Sequence, residues 1–377
     1  MANETNNFQE LISHCKEYGY IFQSSEIYDG LAAVYDYGQM GAQLKKNLRD
    51  EWWKSMTQLH ENIVGIDAAI FMHPTVWKAS GHVDNFSDPM IDNKDSNKRY
   101  RVDHLIEAHA AKLEKAEADA LLEAMDRSLA TDDMAGLKKL IVDNNMKCDI
   151  SKTCNWTEVR QFNLMFSTQI GSVSEEADTI YLRPETAQGI FVNFLNVQKT
   201  GRMKIPFGIA QTGKAFRNEI VARQFIFRMR EFEQMEMQFF VRPGTQMEWY
   251  NYWKEERKRW HESIGIPASK LRFHDHVKLA HYADAALDIE FEFPFGWKEL
   301  EGIHSRTDYD LTQHATYSKK TIQYFDNDLN EAGKPYGNYT PFVVETSVGL
   351  DRLFLTVLSL AYENEKWLKE DGTEDSR

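Results

Sequence analysis

A stretch of alternating side chains near the middle of the chain constrains the fold more than any other feature. Residues 215–240 read AFRNEIVARQFIFRMREFEQMEMQFF, and from Phe227 onward the side chains alternate with the period of two that is typical of a β-strand. One predicted face carries Phe227, Met229, Glu231, Glu233, Met235, Met237 and Phe239, and the other carries Arg228, Arg230, Phe232, Gln234, Glu236 and Gln238. A half-buried strand normally has one apolar and one polar face. Here the second face changes along its length from cationic, through aromatic, to anionic.

This order of side chains suits a ligand with three chemically different parts. A strand advances about 3.3 Å per residue, so Phe232 and Glu236 would lie roughly 13 Å apart. Arginine binds phosphate oxygens, an aromatic ring stacks on a base, and a carboxylate holds an ammonium group. The face therefore fits a molecule with a polyphosphate, a planar base and an amine partner. Cross-strand ion pairing explains the same residues if the strand is considered alone.

Composition narrows the class of protein. The 377 residues are enough for two or three domains. No run of roughly 18 apolar residues occurs, so we expect no membrane span. The N-terminus is polar, and three scattered cysteines predict neither a disulfide framework nor a zinc set, which favours the cytoplasm. The net charge of −14 argues against non-specific nucleic-acid binding, although MKIPFGIAQTGKAFRN and WKEERKRW are local basic tracks.

The order of predicted elements favours an α+β fold. Helices are predicted over residues 8–20, 41–60, 244–264 and 350–362, and strands over 63–72, 179–184, 204–213, 288–294 and 341–346. Residues 103–131 are rich in good helix formers, and a second helical run ends near Val142, so this block is interpreted as an insertion. The segment 80–103 is predicted to be a loop. Because no βαβ alternation or Gly-rich turn occurs, we expect helices packed on an antiparallel sheet.

Two further segments place charged residues at the ends of strands. VVETSVGLDR (343–352) predicts Glu345 and Ser347 near a strand end, then Gly349, then Arg352 in the first turn of a helix. GWKELEGIHSRTDYDL (296–311) is interpreted as a strand with Glu299 and Glu301 on one face and Arg306 beyond it. Carboxylates beside arginines suit Mg²⁺ that holds ATP phosphates. A capped turn and a solvated strand edge explain the same residues.

Together these segments resemble the class II aminoacyl-tRNA synthetases. FRNE (216–219) and REF (230–232) match motif 2, GLDR (349–352) matches motif 3, and YDYGQMGAQLKKNLRDEWW (35–53) resembles motif 1. The resemblance narrows to the dimeric glycyl-tRNA synthetases through SGHVDNFSDPMIDNK, RQFNLMF, YLRPETAQGIFVNF, FIFRMREFEQMEMQFF and GWKELEGIHSRTDYDL. The chain departs from the family pattern at Gln39, Thr346 and Asp351, which stand where proline, proline and glycine are usual.

The resemblance covers residues 8–362 and implies a domain plan. We expect residues 1–89 to form the first part of the catalytic core, 90–157 a mostly helical insertion, and 158–362 the core with motifs 2 and 3. No counterpart of the family's C-terminal anticodon-binding domain is found in the sequence. Residues 363–377 are therefore interpreted as a linker towards such a domain.

The resemblance also implies the site residues. The catalytic residues would be Arg217, Arg352 and Glu299. ATP would contact Arg217, Asn218, Glu219, Phe227, Arg228, Phe232, Glu299, Leu300, Gly349 and Arg352. Glycine would contact Arg101, Glu185, Phe232, Gln234, Glu236, Glu345, Ser347 and Gly349, and Mg²⁺ would be held by Glu299 and Glu345. Among these, Phe232 would stack on adenine, and Glu219 would bind its amino group.

The implied reaction is activation of glycine by ATP with Mg²⁺, followed by transfer of the glycyl group to the 3′ end of tRNA(Gly) by a homodimer. No general base is identified in the sequence, so alignment and charge stabilisation would carry the catalysis. One alternative is a non-catalytic relative that binds nucleic acid. Another is a class II synthetase for serine or alanine. Retention of the whole ligand set and the three pocket glutamates favour the glycine enzyme.

Overall fold

The computed structural model describes residues 2–171, 178–220, 224–277, 279, 283–363, 365–368 and 374–376, without the side chains of residues 2–7, 366–368 and 374–376. The chain forms two units. The larger unit contains Met1–Ser80, Ser167–Phe216 and Arg223–Arg377, and the smaller contains Gly81–Phe166 and Arg217–Ala222. The domain plan drawn from the sequence placed the insertion over 90–157, a narrower range than the smaller unit.

The α-helices among the described residues are α1 (Ala2–Glu17), α2 (Gln39–Thr57), α3 (Pro74–Ala79), α4 (His82–Asn85), α5 (Val102–Ala110), α6 (Lys115–Ala130), α7 (Met134–Asp143), α8 (Ala187–Thr200), α9 (Gln246–Ser263), α10 (Tyr309–Ser318) and α11 (Leu350–Ala361). Short 3-10 helices occur at Glu26–Tyr28, Phe225–Phe227 and Ala268–Lys270. In this described part, no helix is both long and apolar enough to cross a bilayer.

The strands are β1 (Ile21–Gln23), β2 (Tyr35–Tyr37), β3 (Ile63–Gly65), β4 (Ser87–Asp92), β5 (Arg99–Arg101), β6 (Arg160–Asn163), β7 (Ser167–Ile170), β8 (Asp178–Tyr181), β9 (Phe207–Phe216), β10 (Glu231–Val241), β11 (Leu271–Asp275), β12 (Ala285–Phe293), β13 (Gly296–Thr307), β14 (Tyr324–Leu329), β15 (Pro335–Tyr339), β16 (Phe342–Gly349), β17 (Lys366–Leu368) and β18 (Glu374–Ser376).

A seven-stranded sheet forms the centre of the larger unit. Its strand order is β11-β12-β13-β16-β10-β9-β3, and neighbouring strands are antiparallel except for β3 and β9, which run parallel. The predicted α+β class with an antiparallel sheet is thus confirmed. In the register, Glu236 of β10 lies opposite Ser347 of β16, and Gln238 lies opposite Glu345. His304 of β13 lies opposite Glu345 from the other side.

One face of this sheet is apolar because alternate side chains along each strand point to it. Met235, Met237 and Phe239 of β10 belong to the same buried cluster as Leu353 and Phe354 of α11. Helix α11 supplies its part through buried residues at helical spacing, namely Leu350, Leu353, Phe354 and Leu358. Burial of each such side chain contributes about 1.5–3 kcal/mol to stability, so these contacts hold the apolar face of the sheet against α11.

The opposite face of the sheet is only partly apolar. Phe207 of β9 and Phe240 of β10 pack against Phe194 of α8, with a ring-centroid distance of 4.7 Å between Phe194 and Phe240. Towards the middle of β9 and β10, and on the neighbouring β16, this face carries polar residues, including the buried side chains of Gln211, Glu236, Gln238 and Glu345. This polar patch on an otherwise packed sheet is where a ligand site can form.

Several predictions of local structure are wrong in their bounds. The central strand β10 starts at Glu231 and not at Phe227, because Gln224 and Phe225 take positive φ angles of 68° and 58° and begin a 3-10 turn. Arg228 and Arg230 therefore precede the strand. Of the strand predicted over 63–72, only Ile63–Gly65 forms. The helix predicted over 103–131 is divided into α5 and α6.

The smaller unit packs three helices and a three-stranded sheet around its own core. The sheet order is β5-β4-β6, so the segment 80–103, predicted to be a loop, contains two strands. Its core residues are Ile91, Val102, Ile106, Ala110, Leu121, Met125, Leu137, Ile141, Met146, Cys148, Trp156 and Val159. The segment Arg217–Ala222 belongs to this unit and is joined to it where Asn218 N–H donates to the carbonyl of Leu164 at 2.8 Å.

Candidate active site

Two buried carboxylates form the centre of the polar patch on the sheet. Glu236 of β10 and Glu345 of β16 are 3% and 4% exposed, and both lie on the face opposite the methionines. Glu185, half buried, comes from the turn before α8. Burial first, and then the charges of Glu345 and Glu185, raise the pKa of Glu236 to about 8. The pocket therefore holds more negative charge than its own side chains neutralise, and a cation is the ligand that it favours.

Glu345 stays ionised because three side chains donate to it. Nη1 of Arg306 lies 3.0 Å from Oε2, and Nε2 of Gln238 lies 2.6 Å from the same oxygen, while Nδ1 of His304 is 2.8 Å from Oε1. Burial alone would raise the pKa of Glu345, but the Arg306 charge and the His304 hydrogen bond hold it at about 2. Glu345 is thus the fixed negative charge of the pocket, and Glu236 is the titrating one.

A hydrogen-bonded chain connects Glu345 to Glu185. Arg306, at the end of β13, binds Asp310 of α10 through two contacts, Nε–Oδ2 at 2.9 Å and Nη2–Oδ1 at 3.1 Å. Nε2 of Gln188 then donates to Asp310 Oδ1 and to Glu185 Oε1, both at 2.9 Å. This series of hydrogen bonds fixes the positions of Glu185 and Glu345 relative to each other, although they lie far apart in the sequence. Gln188 and Asp310 had not been predicted as site residues.

Glu236 is held from the other side by Thr186 and Gln211. The hydroxyl of Thr186 donates to Oε2 of Glu236, and Nε2 of Gln211 donates to the carbonyl of Thr186 at 3.0 Å. Ser347 also hydrogen-bonds Glu236. Beside them, Oε1 of Gln234 is buried and accepts no hydrogen bond among the described residues. An unsatisfied buried acceptor next to a carboxylate suits a ligand with N–H donors.

Gly213 on β9 allows an arginine to lie flat against the sheet. Nε of Arg183 donates to the carbonyl of Lys214 at 2.6 Å, and Nη1 donates to the carbonyl of Ala68 at 2.8 Å. A Cβ at Gly213 would lie 2.2 Å from Nη2 of Arg183, so any side chain there would displace the guanidinium. Because Arg183 precedes Glu185 by two residues, this contact orients the turn that delivers Glu185.

A second cluster lies where β16 passes into α11. Nη1 of Arg352 lies 2.8 Å from Oε2 of the exposed Glu299, and its guanidinium lies 4.4 Å from the ring centroid of Phe227. Phe227 itself is buried against Phe293 and Phe295, and the side chain of Leu300 is in the core and cannot contact a ligand at the surface. The predicted strand-to-helix passage is confirmed.

The prediction that Glu299 and Glu301 share one face does not hold. The pairing of β12 with β13 shifts at Leu300, since Ile289 lies opposite Glu301 and Glu290 opposite Glu299. Glu301 is completely buried and accepts from two residues of α9, Arg257 Nε at 2.6 Å and His261 Nε2 at 2.6 Å. Glu301 thus forms a buried ion pair with a structural role. Of the two glutamates, Glu299 is the one that a ligand can reach.

Four predicted site residues lie in the smaller unit. Arg101 binds Asp88 (Nη1–Oδ2, 3.1 Å) and Asp103 (Nε–Oδ1, 3.1 Å), and it also interacts electrostatically with Glu219. The guanidinium of Arg217 lies 5.5 Å from the ring centroid of Phe86. Asn218 is fixed through its backbone, as described above. The structure thus brings Arg101 and residues 217–219 into one unit.

Asp351, noted as a departure from the family pattern, joins three elements. It accepts from Nζ of Lys45 at 2.6 Å, from the hydroxyl of Tyr37, and from the backbone N–H of Glu233 at 2.7 Å. Lys45 lies on α2, Tyr37 on β2 and Glu233 on β10. The carboxylate therefore joins α2, β2 and β10 to α11. Burial first, and then the charge of Asp351, raise the pKa of Tyr37 well above its usual range, so its hydroxyl remains a donor.

Most of the predicted site residues of the larger unit lie in one of the two clusters, and the others lie on neighbouring positions of the same elements. The carboxylate cluster contains Glu185, Gln234, Glu236, Glu345 and Ser347, and the second cluster contains Phe227, Glu299 and Arg352. Phe232 and Gly349 lie on β10 and β16, with Gly349 opposite Gln234. Arg228 lies between the 3-10 turn and β10. Sequence reasoning missed Thr186, Gln188, Gln211, Gln238, His304 and Asp310, which are recognisable only as polar residues that interrupt buried strands and helices.

Two family matches agree with this geometry. Residues 88–119 and 113–164 match glycyl-tRNA synthetase insertion domain 1, and residues 166–359 match the tRNA synthetase class II core domain (G, H, P, S and T).

Glycine–tRNA ligases from several bacteria match nearly the whole chain. The glycine–tRNA ligase of Chlorobaculum tepidum is 56% identical over 362 residues, which are 94% of this chain and 76% of the relative. Those of Treponema denticola and Staphylococcus aureus (strain JH9) are each 48% identical, over 381 and 370 residues; the matches cover 100% and 97% of this chain and 75% and 76% of the relatives.

Proposed function

The chain belongs to the class II glycine–tRNA ligases, and we propose that it joins glycine to tRNA(Gly) in two steps that use ATP. In the first step an oxygen of the glycine carboxylate attacks the α-phosphorus of ATP. The bond between that phosphorus and the bridging oxygen breaks, and pyrophosphate leaves. In the second step a hydroxyl of the 3′-terminal ribose attacks the glycyl carbonyl, and AMP leaves.

The observation that carries the proposal is the carboxylate pocket. Glu185, Glu236 and Glu345 interact electrostatically, and among them Glu345 is held ionised while Glu236 is pushed towards its neutral form. An ammonium group relieves that repulsion and also supplies donors to the buried Oε1 of Gln234. We assign the glycine ammonium to this pocket, together with Ser347 and Gly349. The assignment of its carboxylate to Arg217 and Arg101 rests on the family resemblance alone.

Glycine needs little more than this crowding for specificity. It is the smallest amino acid, so a packed pocket excludes every competitor by contact with the competitor's side chain. Discrimination against a smaller analogue by one methylene, which yields only about 1–3 kcal/mol, is not required. Buried side chains fixed by hydrogen bonds, such as Thr186 and Glu236, provide walls that do not yield to an added methyl group.

The nucleotide is assigned to the arginines and the exposed edge of the same face. Arg217 would bind the α-phosphate, Arg228 and Arg352 the β- and γ-phosphates, Phe232 the adenine ring and Glu219 its amino group. Asn218 and the backbone of Leu300 would complete the contacts. Arginine suits this role because its planar fork binds two phosphate oxygens at once. With these charges fixed in place, alignment and electrostatic stabilisation account for the catalysis.

Glu299 fits the Mg²⁺ that accompanies ATP. Its carboxylate is exposed and lies next to Arg352, so an oxygen ligand and a phosphate-binding side chain stand together. Mg²⁺ prefers carboxylate and phosphate oxygens and keeps several waters. When bound, it would neutralise charge on the phosphate oxygens. Glu345 was also predicted as a ligand, but three donors already occupy its oxygens, so we assign Mg²⁺ to Glu299.

We further propose that two copies associate through motif 1. Apolar side chains are unusually exposed just before and within this motif, with Ile27 at 88%, Tyr28 at 80%, Leu31 at 53% and Met40 at 51%. Exposed apolar residues of this size mark a surface that is covered in the assembled protein. Light scattering should give twice the mass of the chain. A monomer would contradict the proposal. Because its substrate is tRNA, we place the protein in the cytoplasm.

The proposal is tested by exchange of pyrophosphate into ATP with glycine, alanine and serine in parallel. Exchange with glycine alone is expected. Exchange with alanine or serine would assign a different substrate, and no exchange in a folded sample would favour a non-catalytic relative. Arg217→Ala should abolish exchange and leave the circular dichroism spectrum unchanged.

A further inference from the structure

Two histidines and an aspartate meet at the edge of the sheet, beyond the carboxylate pocket. His276 follows β11, Asp288 lies on β12, and His304 lies on β13. One nitrogen or oxygen of each residue lies within 4.8 Å of the other two, and Nε2 of His276 is 3.0 Å from Oδ2 of Asp288. The glycine and nucleotide assignments use none of these three residues.

The orientation of His304 is what distinguishes the cluster from a simple ion pair. Its Nδ1 lies 2.8 Å from the buried carboxylate of Glu345, which leaves Nε2 as the nitrogen able to bind a metal. Metal-binding histidines commonly contact a carboxylate in this way, because the contact fixes the tautomer and the direction of the ring. The ring also lies over Gly302, where a Cβ would be 2.8 Å from Cε1 of His304.

We propose that Nε2 of His276, an oxygen of Asp288 and Nε2 of His304 bind a divalent transition metal of the Zn²⁺ class. Nitrogen and carboxylate ligands about 2.0–2.2 Å from tetrahedral zinc lie roughly 3.4 Å from one another. The pair formed by His276 and Asp288, at 3.0 Å, is already closer than that, so binding requires only that the wider separations, which reach at most 4.8 Å, contract by about 1.4 Å or less. Rotation of the partly exposed His276 ring can supply this movement, while His304 stays in place against Glu345.

The exposure of the three side chains suits entry of an ion. The side chains of His276, Asp288 and His304 are 33%, 18% and 22% exposed, so the cluster is shielded but open to solvent. Two imidazoles and one carboxylate favour zinc and its neighbours over Mg²⁺, which prefers oxygen ligands alone. The site is thus chemically distinct from the one assigned to Glu299. Three protein ligands leave a fourth position for water.

The test measures the metal directly and does not depend on glycine activation. The full chain is stripped with a chelator and titrated with Zn²⁺ by calorimetry, and with Co²⁺ by visible absorption. One equivalent is expected, with the ligand-field bands of a four-coordinate cobalt site. His276→Ala and Asp288→Asn should each lower the affinity at least tenfold. Gly302→Ala should also lower it, because the added Cβ displaces the His304 ring.

His274→Ala is the matched control. This histidine lies on the same strand end, but it pairs with Glu290 and is outside the cluster, so its removal should leave the affinity unchanged. Equal binding by the wild type, His276→Ala and Asp288→Asn would place the metal elsewhere and overturn the proposal. Absence of binding by the folded wild-type chain would overturn it as well.

Discussion

Nη1 of Arg306 lies 3.0 Å from Oε2 of Glu345, and both side chains are almost completely removed from water. The same guanidinium binds Asp310 through two further contacts. One arginine therefore compensates two buried carboxylates, beside the carboxylate pocket to which we assign the glycine ammonium. Its charge is a main cause of the lowered pKa of Glu345.

Replacement of this arginine should damage both stability and glycine binding. Arg306→Met leaves the buried Asp310 without its arginine and Glu345 with only His304 and Gln238 as donors, and loss of one partner of a buried pair costs about 3–5 kcal/mol. We expect a lower free energy of unfolding and a KM for glycine raised at least tenfold in pyrophosphate exchange. Arg242→Met is the control, since Arg242 pairs with Asp326 in a partly exposed position outside the pocket. Equal glycine KM values for the two variants would refute the role of Arg306.

Glycine binding should strengthen as the pH rises towards about 8. Burial and the neighbouring glutamates raise the pKa of Glu236 to about 8, so at lower pH this residue carries a proton that an incoming ammonium must displace. The KM for glycine is expected to fall from mildly acidic pH up to about 8 and then level off, as long as the glycine amine is charged. A KM independent of pH over this range would show that Glu236 is ionised in the free protein.

Protein stability should show the opposite dependence, and Glu236→Gln should remove it. The folded pKa of Glu236 lies above its ordinary value of 4.5, so the folded state binds more protons between 4.5 and about 8. The contribution of this residue is fully present below 4.5 and is lost as pH rises through the folded pKa. The melting temperature of Glu236→Gln, relative to wild type, should therefore increase between pH 5 and pH 8. A constant difference would contradict the assignment.

A methyl group at Gly213 should reduce glycine activation by displacing Arg183, which supports the carboxylate pocket. Gly213→Ala places a Cβ 2.2 Å from Nη2 of Arg183, and the guanidinium must move from its two carbonyl acceptors. Overpacking of this kind costs about 1–3 kcal/mol. Because Glu185 and Thr186 follow Arg183, exchange with glycine should fall more than tenfold. Gly213→Ala together with Arg183→Ala relieves the contact and should recover stability without recovering activity. A single variant with normal exchange would mean that the turn is positioned independently of Arg183.

Loss of the Asp351 carboxylate should destabilise the core far more than loss of an exposed ion pair on helix α2. Asp351→Ala removes the acceptor of Lys45, Tyr37 and the Glu233 amide, and we expect a loss of about 3–5 kcal/mol in the free energy of unfolding by denaturant. Asp50→Ala is the control. It breaks the exposed pair with Lys46, which is worth about 0.3–0.5 kcal/mol. Similar losses in the two variants would contradict the buried role of Asp351.

Much of this arrangement was accessible from the sequence, because strand alternation is a local property. The period of two on β10 predicts that Gln234, Glu236 and Gln238 share a face, and the structure has them so. The start of that strand was not accessible, since a 3-10 turn at Phe225–Phe227 interrupts a pattern that continues through it. The separation of Glu299 from Glu301 depends on one extra residue in a strand pairing, which leaves no mark on composition.

The supporting residues of the pocket could not be predicted for a different reason. Gln188 acts through Asp310, and Asp310 acts through Arg306, although 122 residues separate Gln188 from Asp310. Each is an ordinary polar residue in its own segment. Its role arises only when α8, α10 and β13 come together in the folded larger unit, and that requires knowledge of the packing.

Asp351 and Arg352 are consecutive. The residue that fixes the start of α11 is therefore next to the residue assigned to the phosphates. The anchor reaches back to Lys45 on α2, the helix of motif 1, where exposed apolar residues indicate an association surface. If two copies associate there, contacts between the subunits also fix the orientation of the Arg352 side chain. A chain separated from its partner would then lose the orientation of Arg352 before it lost its fold.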